Sequence, residues 1–185
     1  INLYRRDGYS PFITFNTYAS TSCVNNFDPV IAPSPPVPLF ENLPINTLVT
    51  VINASDADLG STAPLSFMLV SGGGSDFSLD ALTGRLYSLR PFDREVDFEF
   101  ELVVSVTDHS TSGSRVAYSN LTIFIVDLND NPPIFTEANA TVSLPESTLV
   151  GTTVALLQAT DKDVTPVSLQ YTLLSDFNGK FSLFN

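Results

Sequence analysis

The sequence predicts an all-β protein, a tandem series of antiparallel β-sandwich units. Three observations lead there. Apolar residues alternate with period two and show no sustained helical spacing; clusters of Gly, Pro, Ser and Asn separate the apolar runs; and one stretch of sequence recurs a domain's length later. In chain order, Ser71-Gly72-Gly73-Gly74 reads as a flexible turn. It has the glycines of a phosphate cradle, but no Lys-Ser/Thr follows and no helix opens after it. Thr83-Gly84 marks a second turn. Phe98, Phe100, Leu102, Val104 and Val106 then face one way while Glu99, Glu101, Ser105 and Thr107 face the other, as a half-buried strand requires. Ser112-Gly113 turns the chain back, and Leu121, Ile123 and Ile125 repeat the alternation with Asn120 and Thr122 outward. Pro132-Pro133 stops the sheet ladder, because proline has no N–H to give, and starts a stiff connector.

The repeat sets the domain organisation. Glu41 through Asp58 aligns without a gap on Glu146 through Asp163, so that Glu41 falls on Glu146, Val49 on Val154, Ala54 on Ala159, Asp56 on Asp161 and Asp58 on Asp163. Farther on, Leu65, Phe67 and Phe77 fall on Leu169, Tyr171 and Phe181. One complete unit is expected over 31–133, the N-terminal half of the next over 134–185, and the tail of a preceding, degenerate unit or a linker over 1–30. The sequence starts at Ile1 without a signal peptide and stops at Asn185 in mid-pattern, which reads as a piece of a longer protein.

Composition narrows the function. With 43% hydrophobic and 11% aromatic residues the chain is globular rather than disordered. Twenty acidic side chains against 8 Lys and Arg give a net charge of −12, and no basic cluster exists to meet a nucleic-acid backbone or an anionic membrane. One cysteine, Cys23, allows no internal disulfide, and no Cys/His cluster exists for zinc or iron. His109 reads as an exposed loop residue. No apolar run approaches the roughly 20 residues that span a bilayer. A glycosidase pair at Asp93 and Glu95 is set aside, since the two lie two apart on a turn with no aromatic cleft evident. The chain is not expected to be an enzyme.

The acids of the complete unit fall at strand ends: Glu41, Asp56-Ala57-Asp58, Asp93-Arg94-Glu95, Asp108 and Asp127-Leu128-Asn129-Asp130-Asn131. Strand ends collect at the poles of a sandwich. If units stack end to end, Glu41, Asp93, Glu95, Asp127, Asp130, Asp161 and Asp163 meet at one junction and either raise their own pKa values or bind cations. The ligands on offer are all oxygens, which selects a hard cation. Ca2+ tolerates an irregular shell of about 6–8 oxygens where Mg2+ demands a near-ideal octahedron. An EF-hand starting at Asp127 fails, because Pro132 and Ala138 stand where that loop needs Gly and Glu.

The order Glu41, Asp-Ala-Asp at 56–58, Asp-Arg-Glu at 93–95, Asp108 and Asp-Leu-Asn-Asp-Asn-Pro-Pro-Ile-Phe at 127–135 resembles the extracellular repeat of the cadherin superfamily, over roughly 31–185. Leu144-Pro145-Glu146-Ser147 is similar to the Pro-Glu-Asn that opens such repeats. The resemblance implies a seven-strand Greek-key β-sandwich, Ig-like in layout, repeated in tandem. It implies that Glu41, Asp93 and Glu95 reach from the lower pole of one unit, that Asp127, Asn129 and Asp130 give side-chain ligands and Leu128 and Asn131 backbone carbonyls, and that Asp161 and Asp163 come from the next unit. Three calcium ions occupy such a junction in the family, and their charge would nearly cancel that of its seven acids. Asp56, Asp58 and Asp108, with the Thr62 carbonyl, match a half-site facing a preceding repeat. There Asp7-Gly8 faintly echoes Asp108, and Asn26-Phe27-Asp28-Pro29 echoes Asn129 to Pro132, but the full Asp-x-Asn-Asp-Asn string is missing.

The function so implied is calcium-dependent cell-cell adhesion, with Ca2+ stiffening the junction and other cadherin ectodomains as partners, homophilic or heterophilic. A spacer or receptor-type ectodomain that binds a different protein or bears force is the other reading, since the chain has no Trp of the kind that strand-exchanging tip repeats insert. Either places the segment outside the plasma membrane, in a single-pass protein anchored elsewhere. Three sequons, at Asn53, Asn120 and Asn139, fit a secreted glycoprotein.

Overall fold

The computed structural model describes residues 25–58, 64–110, 113–137, 141–163 and 168–184. Cys23, Thr62 and Asn139 lie outside them, as does the Asp7-Gly8 echo. The described residues form strands and turns with no helix, hence none long and apolar enough to cross a membrane.

In chain order the strands are β1 (Val30–Ile31), β2 (Val37–Phe40), β3 (Leu48–Val51), β4 (Ala54–Ser55), β5 (Ser66–Ser71), β6 (Phe77–Leu79), β7 (Arg85–Ser88), β8 (Glu99–Thr107), β9 (Val116–Val126), β10 (Ile134–Phe135) and β11 (Ala159–Thr160). Two sheets make the sandwich: four strands in the order β2-β9-β8-β5, and three in the order β3-β7-β6. All pairings are antiparallel except β2 with β9. The chain passes between these two sheets four times, from β2 to β3, from β3 by way of β4 to β5, from β5 to β6 and from β7 to β8, which gives a seven-strand sandwich.

The long strands β8 and β9 are β-branched and alternating, as a strand buried on one face needs to be. Their inward residues Leu102, Val104, Leu121, Ile123 and Ile125 meet Leu39, Ile52 and Leu86 from the other strands. At one end of this core, Phe77 stacks on Phe92 at 5.2 Å, and Phe100 stands edge-on to both. Phe98 departs from the expected alternation. It precedes β8 and is 61% exposed, because its carbonyl is drawn into a hydrogen bond with the Ile125 N–H and its ring lies under the Arg94 guanidinium. Ser105 points outward as expected but is only 2% exposed, flanked by Met68 and Tyr118 on the strands either side.

The glycine run is a turn, but a packed one. A Cβ on Gly72, at φ +85°, would sit 1.9 Å from the Glu101 carbonyl oxygen, so β8 passes directly against the turn. His109 is exposed just beyond β8. Past Pro132-Pro133 the short strands β10 and β11 pair with each other as β1 and β4 do. Val30 opposite Ser55 corresponds to Ile134 opposite Thr160, which puts Pro29 in register with Pro133 and Asn25 with Asn129. The echo of Asn26 with Asn129 is therefore one residue out of step.

Candidate metal centre

The carboxylates converge because each stands at the end of an element that the core fixes. Glu41 follows β2, and its N–H donates to the Val126 carbonyl at the end of β9. Its side chain is 1% exposed. One carboxylate oxygen accepts the Arg94 N–H at 2.8 Å and the other the Leu128 N–H at 2.6 Å, so a single acid ties the 93–95 turn to the connector. The turn itself is held by Arg90, which reaches Asp76 at 2.7 Å and both oxygens of Asp97 at 2.7 and 2.8 Å while lying over the Phe92 ring. The bidentate bond to Arg90 holds the Asp97 carboxyl below the usual carboxylate range against the opposing effect of burial. Asp93 accepts the Glu95 N–H at 3.0 Å, and its carbonyl accepts from Val96 and Asp97, closing the turn.

Two groups of acids come within metal-ligating distance. Glu41, Glu95 and Asp127 form one, and Glu95, Asp130 and Asp163 the other, with one carboxylate oxygen from each residue of a group within 4.8 Å of the others. Glu95 belongs to both. Its Oε1 is buried with no hydrogen-bond partner. Its carboxyl is pushed above the ordinary range, first by the hydrogen bond with Asp93, then by burial and the charge of Glu41. A buried acceptor without a donor, amid like charges, is a costly arrangement for the protein alone and an ordinary one for a cation ligand. The donor set, carboxylates throughout, suits a hard cation.

Of the seven acids expected at the junction, Glu41, Glu95, Asp127, Asp130 and Asp163 lie in these two groups. Asp93 and Asp161 do not; each accepts the N–H of the acid two residues on, Glu95 and Asp163, and so orients it. Asn131, expected as a carbonyl ligand, also donates from its backbone and side chain to Asp163. Asn42 was missed by the sequence reading: its amide donates to Asp130, from a residue at φ +61° just after Glu41. An Asn beside a buried acid was the only signal. Asn129 lines a cleft beyond the connector together with Pro133, Phe135, Ala159 and Asp161.

The opposite pole is built differently. Asp58 accepts the backbone N–H groups of Asn26 and Phe27 at 2.7 and 2.5 Å. Asp108 is 1% exposed and accepts from Ser110, Arg115 and the Asn25 amide at 3.2, 2.9 and 2.6 Å. Burial pushes its carboxyl up, but these donors outweigh it and leave it below the ordinary range. Asp56 Oδ2 is buried without a hydrogen-bond partner, yet Asp56, Asp58 and Asp108 form no group of metal-ligating spacing among the described residues. Arg115 pairs with Asp28 at 2.7 Å, where the other connector has Pro132. The sequence reading found neither Asn25 nor this ion pair.

Comparison with known proteins places these features. A cadherin-domain family model matches residues 35–126. Human protocadherin Fat 4 is 37% identical over 96% of this chain, and human protocadherin-16 is 39% identical over 76%; the chain spans about 4% of the length of either relative. Among solved structures, the protocadherin gammaB4 extracellular domain superposes with a TM-score of 0.68 at 26% identity, covering 76% of this chain and 24% of that one. EC22-24 of mouse cadherin-23 superposes with a TM-score of 0.63 at 28% identity, covering 76% and 45%.

Proposed function

The chain belongs to the cadherin family, a family of adhesion ectodomains rather than enzymes, and on that premise we propose that it is a segment of a calcium-dependent cell-cell adhesion ectodomain. The observation that carries this reading is the pair of acid groups sharing Glu95, drawn from β2's end, the 93–95 turn, the connector and Asp163. The ligands in this reading are Glu41, Asp93, Glu95, Asp127, Asn129, Asp130, Asp161 and Asp163 by their side chains and Leu128 and Asn131 by their carbonyls. Bound Ca2+ supplies the positive charge that the acids lack. The residues do the rest: Glu41 holds the turn to the connector, Asn131 holds the connector to Asp163, and Pro132-Pro133 limits the directions in which the next unit can swing. A complete repeat over 31–133, the first half of another over 134–185 and the tail of a preceding unit over 1–30 fit this arrangement.

Calcium modules outside cells bind at about 10⁻⁴–10⁻³ M, so the junction is filled in extracellular fluid and largely empty in cytosol. This suits a place on the outer side of the plasma membrane, with other cadherin ectodomains as partners and homophilic contact as the leading mode. Calorimetry and small-angle scattering, each with calcium and with EDTA, test it. The expected result is millimolar uptake and a longer, narrower particle with calcium. No uptake and an unchanged shape would remove the proposal. A spacer or receptor-type role is favoured by one observation, the complete absence of Trp. Coated beads separate the two: aggregation that needs calcium supports adhesion, and dispersed beads that still capture a different ectodomain support the spacer.

A further inference from the structure

The Gly72-Gly73-Gly74 turn has no helix behind it to make a phosphate cradle, yet its dimensions are fixed. A Cβ on Gly72 would meet the Glu101 carbonyl oxygen at 1.9 Å and one on Gly73 a Leu69 methyl at 2.0 Å, so the turn is pinned between β5 and β8. From there the Gly73 carbonyl accepts the N–H groups of Asp76 and Phe77 at 2.8 and 3.2 Å, which sets Asp76 at the start of β6. The pairing of β6 with β7 takes the next step. Phe77 stands opposite Ser88, the Leu89 N–H donates to the Asp76 carbonyl at 2.8 Å, and Arg90 therefore emerges beside Asp76. Its guanidinium gives Nε to Asp76 at 2.7 Å and both terminal nitrogens to Asp97 at 2.7 and 2.8 Å, with the centre of the Phe92 ring 4.5 Å away. The Asp97 side chain, only 12% exposed, then accepts the Asp93 N–H at 3.2 Å, and Asp93 accepts the Glu95 N–H at 3.0 Å. Contacts thus run without a gap from the glycine turn to the acid that both groups share.

We propose that Asp76, Arg90 and Asp97, with the glycine turn as their footing, are positioning residues of the calcium centre: none belongs to either acid group, and together they set where Glu95 stands and so how tightly calcium is held. The inference rests on the calcium-junction reading and adds to it the residues that tune the site. Position matters most at Glu95, because one carboxylate serves two groups and a shift toward one is a shift away from the other. Partners bonded directly to a metal ligand commonly govern affinity by about 10–100-fold. Here the effect passes through Asp97 and Asp93 before it reaches the ligand, so a smaller factor is expected. What Arg90 supplies is a planar fork that meets two carboxylates in fixed directions, where the ammonium of a lysine is a single swivelling charge. Charge and position also act in opposite senses at this residue. Removing a positive charge near a cation site strengthens cation binding by Coulomb's law, so a neutral side chain at position 90 that weakens binding acts through geometry.

The test is a calcium titration by calorimetry on the full chain, as wild type and as Arg90→Lys, Asp76→Glu, Arg90→Gln and Gly84→Ala. Arg90→Lys and Asp76→Glu keep every charge and move only the contact, and each is expected to raise the Kd about threefold or more. Arg90→Gln is expected to raise it too, against the direction of its charge change. Gly84→Ala, at the far end of the β6–β7 hairpin, is expected to lower stability and leave the Kd at its wild-type value. Amide exchange in EDTA gives a readout with no calcium in it. The Asp93 and Glu95 N–H groups should exchange about threefold or more faster in Arg90→Lys and at the wild-type rate in Gly84→Ala, since an exposed turn opens locally. Should Arg90→Lys fail to fold, Asp76→Glu carries the same decision, its site being a partly exposed side chain. A wild type that takes up no calcium sinks the junction reading and this inference with it. Uptake by the wild type with an unchanged Kd in Arg90→Lys and Asp76→Glu sinks the inference alone. So does tighter binding by Arg90→Gln, which would make Arg90 a mere charge, or an equal weakening in Gly84→Ala, which would make the effect one of general stability.

Discussion

Single residues carry the tension of the junction. Glu95 is shared by both acid groups, and its Oε1 finds no donor. Without a cation its charge opposes folding; with one it is a ligand. Glu95→Gln is therefore expected to stabilise the ion-free chain at neutral pH and to weaken calcium binding at least tenfold, a loss of about 1.4 kcal/mol or more. Urea unfolding in EDTA reads the first and calorimetry the second, and a variant less stable in EDTA would contradict the assignment. Asp108 is the opposite case, a buried acid with every oxygen served by protein donors. Asp108→Ala leaves the N–H groups of Ser110 and Arg115 and the amide of Asn25 short of an acceptor. The expected cost is about 1–3 kcal/mol whether or not calcium is present. Equal unfolding midpoints for variant and wild type in EDTA would show that those donors find water instead.

At the scale of elements, the β6–β7 hairpin is the test of turn chemistry. Asp80 accepts the N–H groups of Leu82 and Thr83 and the Thr83 hydroxyl, and Gly84 completes the turn at φ +66° with room for no side chain, since a Cβ would lie 2.3 Å from the Ile52 carbonyl oxygen. Gly84→Ala must therefore move β3 or distort the turn, and a loss of more than about 1 kcal/mol is expected by thermal unfolding. The Thr83 and Leu82 donors, led by the Thr83 N–H, hold the Asp80 carboxyl below its ordinary value of 3.8. A depressed folded pKa contributes stability that is fully present above that value and is lost as pH falls below it. Acid unfolding of Asp80→Asn should accordingly lose the part of the slope below about pH 4 that the wild type shows. Much of this level was legible in sequence. Thr83-Gly84 announced the turn, and the alternation along β8 and β9 announced the buried faces, because both are local patterns. Phe98 was misplaced because its position depends on Ile125 and Arg94, which approach from elsewhere in the chain. The site divides the same way. The motif acids could be named from their order, but that Glu95 serves two groups, that Asn42 reaches Asp130 and that Arg90 braces the turn through Asp76 and Asp97 are results of long-range packing, which leaves no local signature.

For the whole molecule the question is whether calcium acts as a specific ligand or merely as positive charge. The chain carries −12, and screening alone relieves part of that repulsion. The Debye length falls from about 10 Å at 0.1 M salt to about 3 Å at 1 M, so sodium chloride damps repulsion between exposed acids. It does little for Glu41, which is buried, or for acids packed within 4.8 Å of each other. A ligand that binds only the folded form at ten times its Kd adds about 1.4 kcal/mol per site. Thermal unfolding in EDTA across that range of sodium chloride, and again with millimolar calcium or magnesium at fixed ionic strength, separates the two. Calcium is expected to raise the melting temperature further at millimolar concentration than sodium chloride does at 1 M. Magnesium should fall well short of calcium, because the acids come from four segments and present an irregular shell that an octahedral ion cannot use. If 1 M sodium chloride reproduces the whole calcium effect, the acids act as a diffuse charge and the junction is no site. If magnesium matches calcium, the selectivity argued from the irregular shell fails while the site itself stands.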